Sequence, residues 1–140
     1  MNTKNINSAI AIMTRHMEAR LPLDTSVWQN YKGAAKIAFT KEEELCGTPC
    51  CFAGYIAVSP EFRKDGGTCR TNGCPELAEF YDEHAIREWV GCNIYQAESL
   101  CAVGRTKLAY PYVAFGGNVE FPDVIAALTS LRDTGKLPGE

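Results

Sequence analysis

A mainly α-helical, single compact domain of about five helices with long loops is the fold class this sequence predicts, and three observations carry that prediction. Apolar residues recur at helical spacing in four separate segments. Capping residues, prolines and glycines bracket those segments at the positions where helices start and stop. The 140 residues, 46% hydrophobic against 22% charged, suffice for one buried core and not for two ordinary domains.

The first helix is expected over residues 5–20. Ile6, Ala9, Ile10, Met13 and Met17 form one stripe, and Pro22 closes the segment. His16, on the shoulder of that stripe, is read as an ordinary helix histidine rather than a ligand. Leu23-Asp24-Thr25-Ser26-Val27-Trp28 places capping residues before an aromatic and is expected to plant Trp28 in the core. Residues 31–39 read equally as a short helix or an extended segment. Lys41-Glu42-Glu43-Glu44 reads as a solvated turn.

The segment Cys46-Gly47-Thr48-Pro49-Cys50-Cys51-Phe52-Ala53-Gly54-Tyr55-Ile56-Ala57-Val58 is small or apolar all round. It predicts a buried central helix over 49–58, capped by Thr48 with Pro49 in the first turn and ended before Pro60. Gly54 inside it implies close packing against a neighbour, since glycine costs a helix about 1 kcal/mol relative to alanine. Residues 63–75 read as a loop, with Asn72-Gly73 as a turn dipeptide. A helix is expected over 76–90, carried by Leu77, Phe80, Tyr81, Ala85 and Trp89, with a break near Asp82 and an end at Gly91. Asn93 caps a further helix over 94–103, closed by Gly104, and Phe121-Pro122-Asp123 opens the last one over 122–133. Trp28, Phe52, Ile56, Trp89, Leu100, Ile125 and Leu128 are the expected core.

Charge and composition exclude several functions. No apolar stretch approaches the roughly 20 residues that span a bilayer, so no membrane partner is expected. The net charge is −3, and close basic pairs occur only at Arg63-Lys64 and Arg105-x-Lys107, which excludes a generic nucleic-acid binder. Seven cysteines, an odd number, follow a start that lacks a secretory leader's apolar run. Reduced thiols in the cytoplasm are therefore expected.

Four chemistries were weighed. Cys50 or Cys51 at a helix N-terminus, with His84 and Asn118 in papain-like order, sketches a thiol nucleophile, but the flanking residues differ from the papain pattern. Structural thiols at Cys46, Cys50 and Cys51 are the plainer reading, so no catalytic residue is assigned. Cys46-x3-Cys50 and Cys69-x4-Cys74, with His84 in reserve, offer zinc four thiolates at spacings looser than paired Cys-x2-Cys; no metal or other cofactor is assigned. Tyr110, Tyr112 and Phe115 on a glycine-flexed loop, with Arg63, Lys64, Arg105 and Lys107, suit a small anionic nucleotide. Finally Glu76, Glu79, Asp82, Glu83 and Glu88 against Arg87 alone form an acidic stretch suited to a basic surface on a protein partner.

The order Leu23-Asp24-x3-Trp28, then Cys46-Gly47-Thr48-x-x-Cys51-x-Ala53-Gly54, then Pro60-x-Phe62-Arg63 resembles small uncharacterised proteins of tailed bacteriophages. Those carry Phe-Asp-Met-x-x-Trp, a Cys-Gly-Thr-x-x-Cys-x-x-Gly helix start and a late Pro-x-x-Val helix. Ile86 to Cys101 is similar to their aromatic and Asn-capped helices, and Phe121-Pro122-Asp123-Val124 to their final helix start. The likeness spans roughly residues 5–133. Leu23 replaces the family's aromatic, Cys50 is additional, and the cysteine-containing loop at 69–74 has no counterpart. What the resemblance implies is a phage-encoded accessory protein that binds and inhibits or sequesters a host component in the host cytoplasm, plausible as an anti-defence protein. The alternative is a nucleotide-binding sponge or a small thiol-dependent hydrolase.

Overall fold

The computed structural model describes residues 1–23, 28–29, 38–45, 50–101 and 120–140. Within them lie six α-helices and one small antiparallel sheet, so the protein is mainly α-helical. No described helix is long and apolar enough to cross a membrane.

Helix α1 runs Thr3–Glu18. Asn2 caps it through a side-chain oxygen that accepts from the Asn5 amide at 3.0 Å. Asn5 in turn donates its Nδ2 to the Trp89 carbonyl at 2.8 Å, and Asn2 N donates to the Val90 carbonyl at 2.8 Å. Two polar bonds thus dock the start of α1 on the end of a distant helix. The inward stripe of α1 is Ile6, Ala9, Ile12, Met13 and His16. The last helix, α6 (Phe121–Thr134), packs along it, burying Val124, Ala127, Leu128 and Leu131, and Arg132 Nη1 reaches Asn7 Oδ1 at 3.0 Å on the outside.

Helix α2, Phe52–Val58, is buried at every residue and touches α1, the sheet and the helices on either side, as the apolar run predicts. Its cap differs from expectation. Cys51 occupies that position, its sulfur accepting from Gly54 N at 3.4 Å, and Thr48 and Pro49 lie outside the described residues. Cys50 forms isolated bridges to Leu23 on one side and Gln29 on the other, so the chain entering α2 is itself threaded through the core. Gly54 is required there: a Cβ on it would fall 1.7 Å from the Trp28 carbonyl oxygen. Ser59 ends α2 and caps α3 (Pro60–Lys64), accepting from Phe62 N at 3.2 Å, with Pro60 in the first turn. Pro60, expected only as a stop, thus also starts a helix, and residues 63–64, expected in a loop, belong to it.

The largest correction falls on residues 76–90. The expected helix begins only at Glu83, as α4 (Glu83–Val90), and what precedes it is a hairpin. Strands β1 (Thr68–Cys69), β2 (Pro75–Leu77) and β3 (Phe80–Tyr81) pair in that order, antiparallel throughout. Leu77 faces Phe80 across the two-residue turn Ala78-Glu79, and Glu76 faces Tyr81. Such a turn brings residues three apart side by side, the same spacing a helix uses, so Leu77 and Phe80 read alike in either state. Helix α5 (Ile94–Cys101) starts as predicted, on a reciprocal cap: Gln96 N donates to Asn93 Oδ1 at 2.8 Å and Asn93 N to Gln96 Oε1 at 3.1 Å. Gly104, its expected end, lies outside the described residues.

Phe52, Ile56, Trp89, Leu100 and Leu128 are core residues as predicted. Trp28 and Ile125 are only partly buried, packed against the core from its edge. Ile125 sits one helical position off the inward face set by Val124 and Leu128.

Candidate interaction surface

The hairpin and helix α4 form one unit, residues 75–90, that carries every carboxylate of the acidic stretch. Its backbone is strained at two places. Ala78 has φ 54° and Asp82 has φ 58°, ψ −135°, a left-handed region that L-residues enter only at a cost of roughly 1–2 kcal/mol. Ala78 is the first central residue of the two-residue turn, where a type II′ hairpin needs positive φ. Asp82 is the corner between β3 and α4: its N–H donates to the Pro75 carbonyl at 3.0 Å, and its carbonyl accepts from Ala85 N at 3.1 Å.

Between these corners lie Phe80 and Tyr81, each covered by an arginine. The Arg87 guanidinium stands 5.2 Å from the Phe80 ring centre and that of Arg70 stands 4.6 Å from Tyr81, which still leaves Tyr81 43% exposed. Arg70 Nε also lies 4.0 Å from Glu76 Oε2, a long contact between exposed groups. Glu79 at the turn and Glu88 on α4 are exposed, and among the described residues neither has an ion-pair partner. Glu83 opens α4, where its charge complements the helix N-terminus. Asp82 is half-buried beside Cys74; burial first, then the hydrogen bond and charge of Asp82, push that thiol up to about 12. Because Glu79 sits on a turn and Glu83 on a helix, the two do not share a helix face, as a continuous helix over 76–90 would require.

Of the expected anion site, only Arg63 and Lys64 lie within the described residues. Arg63 on α3 is engaged, its Nη2 donating to the Thr40 carbonyl at 2.7 Å, and Lys64 is exposed at the end of the same helix. Arg105, Lys107, Tyr110, Tyr112 and Phe115 lie outside the described residues, as do Cys46 and Asn118.

The thiols are placed by packing. Cys50 is 0% and Cys51 2% exposed, and burial pushes Cys69 and Cys92 up to about 11 and raises Cys101 well above the ordinary thiol value, which keeps those three thiols protonated at neutral pH. Cys69 stands opposite Pro75 across the sheet, and Cys74 immediately precedes that strand. Among the described residues no three His, Cys, Asp or Glu side chains gather as a metal site.

One charged cluster was not foreseen. His16 is buried, stacked on Tyr55 with ring centres 4.4 Å apart, and its Nε2 lies 3.0 Å from Glu42 Oε1, within ion-pair reach though not aligned as a hydrogen bond. Arg15 grips the same carboxylate through Nε and Nη2 at 2.8 and 3.1 Å, and also holds Glu61 through Nη1 and Nη2 at 3.0 and 3.1 Å. Burial alone would raise the Glu42 carboxyl, but contact with His16 and Arg15 outweighs it and holds the group below its ordinary value. The cluster fastens the turn Glu42–Glu44 and helix α3 onto α1. The sequence offers Glu42 as one member of a charge run and His16 as an ordinary helix histidine, and nothing in it pairs them.

Comparison with protein-family models, curated proteins and solved structures gives no match to this chain.

Proposed function

We propose that this chain is a binding protein that uses the 75–90 unit to hold a basic surface of a protein partner. Following its resemblance to tailed-phage proteins, that partner is a host component, the location is the host cytoplasm, and the outcome is inhibition or sequestration in the service of evading a bacterial defence. The observation that carries the reading is the exposure of Glu79, Tyr81 and Glu88 within this one short stretch of chain, whose two corners are left-handed, non-glycine residues. Strain of that kind concentrates where a surface is used. Exposed carboxylates around an accessible tyrosine supply both long-range steering and an aromatic anchor. The buried cysteines favour binding over thiol catalysis, because a nucleophile must be reached by its substrate.

The test is capture from a bacterial lysate at low salt, followed by association kinetics with the purified captured protein. The reading expects a protein whose association slows as salt rises. A nucleotide released on heating, with a stabilisation of about 2.7 kcal/mol at a hundredfold excess over its dissociation constant, would instead establish the small-ligand alternative.

A further inference from the structure

Asn72-Gly73 is the turn dipeptide of the β1–β2 hairpin, and its chemistry goes beyond turning the chain. In such a pair the glycine nitrogen is free of steric cover and attacks the asparagine Cγ. A C–N bond forms to Gly73 N, the bond to the side-chain nitrogen breaks, and ammonia leaves with the amide's proton. Water then opens the succinimide ring to aspartate or to isoaspartate, the latter with an extra methylene in the main chain. The attack requires a Gly73 nitrogen that can shed its proton and a carboxamide free to rotate over it.

The native fold denies both. Gly73 N donates to the Arg70 carbonyl at 2.9 Å, and the Asn72 Oδ1 is held by the Cys74 amide at 3.1 Å. Gly73 is buried at φ +91°, where an added Cβ would meet the Cβ atoms of Gln29, Trp28 and Ala38 at 3.0, 3.3 and 3.4 Å. Those neighbours belong to two short segments, residues 28–29 and 38–39, that together strap the turn. Ala38 N donates to the Thr71 carbonyl at 2.7 Å, and the buried Gln29 amide pins the strap with two bonds to the Phe39 backbone, at 2.6 and 2.8 Å. The Asn72 side chain itself faces solvent, so a carboxylate made there needs no room.

We propose that Asn72 is a spontaneous deamidation site that the native fold holds in check, with the Gln29–Phe39 strap as the restraint. Reaction then proceeds only through local opening of this end of the sheet. Its product places a new negative charge two residues from Arg70, competing with Glu76 and Tyr81 for that guanidinium.

The test incubates the full chain at mildly alkaline pH and follows Asn72 by peptide mass spectrometry, reading the one-dalton gain and the isoaspartate fraction. Native protein is expected to react at least about tenfold more slowly than the same chain in urea, the factor that about 1.4 kcal/mol of opening free energy imposes. Gln29→Ala in native buffer is expected between the two rates. Ala38→Pro, which removes the N–H bonded to the Thr71 carbonyl, is expected to move the rate in the same direction. Equal rates with and without urea, or an Asn72 inert even in urea, overturn the proposal. A Gln29→Ala and an Ala38→Pro rate both equal to native would overturn the assignment of the strap.

Discussion

Replacing Gly54 by alanine opposes two effects of known size. In an exposed helix the change stabilises by about 1 kcal/mol. Here the new methyl carbon would lie 1.7 Å from the Trp28 carbonyl oxygen and 2.7 Å from its carbon. Ordinary carbon–oxygen contact begins near 3.3 Å, so one backbone must retreat by roughly 1.6 Å. Neither is a side chain that can swing aside. The 28–29 segment is bridged to Cys50 through Gln29, and α2 is buried on all sides. Overpacking of this kind costs up to about 3 kcal/mol, and losing the bridge adds about 1 kcal/mol. After the helix gain, a net loss of about 3 kcal/mol remains, or a melting temperature lower by roughly 10 °C at this size. Urea unfolding followed by far-ultraviolet circular dichroism reads the change as a lower midpoint at unchanged slope. Ala11→Gly on the exposed side of α1 serves as control, expected to cost about 1 kcal/mol. A Gly54→Ala protein as stable as the parent would show that Trp28 does not cross α2, and the account of the core entry would fail.

Trp89→Ala should cost about 3–5 kcal/mol, because the ring is buried edge-on against Phe62 and its Nε1 donates to Asp65 at 2.8 Å; a melting temperature that does not move would place the ring outside the core. Glu42 is held below its ordinary value of 4.5, so its contribution is fully present above that pH and is lost as pH falls through the lower folded value. Glu42→Gln should therefore flatten the acid limb of the stability profile, and an unchanged limb would count against the Arg15–His16 clamp. Ala78→Gly should stabilise by about 0.5–1 kcal/mol, since relief of a left-handed alanine exceeds the added chain entropy of glycine; destabilisation in calorimetry would argue against the type II′ turn.

How much of this was legible in the sequence depended on the range of the interactions involved. Helices α1, α5 and α6 announce themselves because caps and apolar stripes are local, and Gly54 within an apolar run already implied a close neighbour. The identity of that neighbour, the Trp28 carbonyl, is a long-range fact and was not legible. Leu77 and Phe80 misled because a tight hairpin and a helix share their spacing; Ala78 carries no turn signature of the kind glycine or Asn-Gly gives, and Asp82 signals only the break that the start of α4 at Glu83 matches. The acidic stretch was legible as composition, but its shape as a strained hairpin running into a helix was not. The cluster around His16 joins residues far apart in the chain, and no spacing rule brings Arg15, Glu42 and Glu61 together.

The proposed function rests on the exposed carboxylates of the 75–90 unit, and Glu79→Lys with Glu88→Lys tests it most directly. Both positions are exposed and unpaired among the described residues, whereas reversing Glu83 would also weaken the start of α4. The measurement is the association rate with the captured partner across a salt series, for parent and double variant, with circular dichroism showing both folded. The account predicts that the variant associates more slowly at low salt, with the difference closing as salt screens it. Identical rates for two folded proteins at low salt would contradict it.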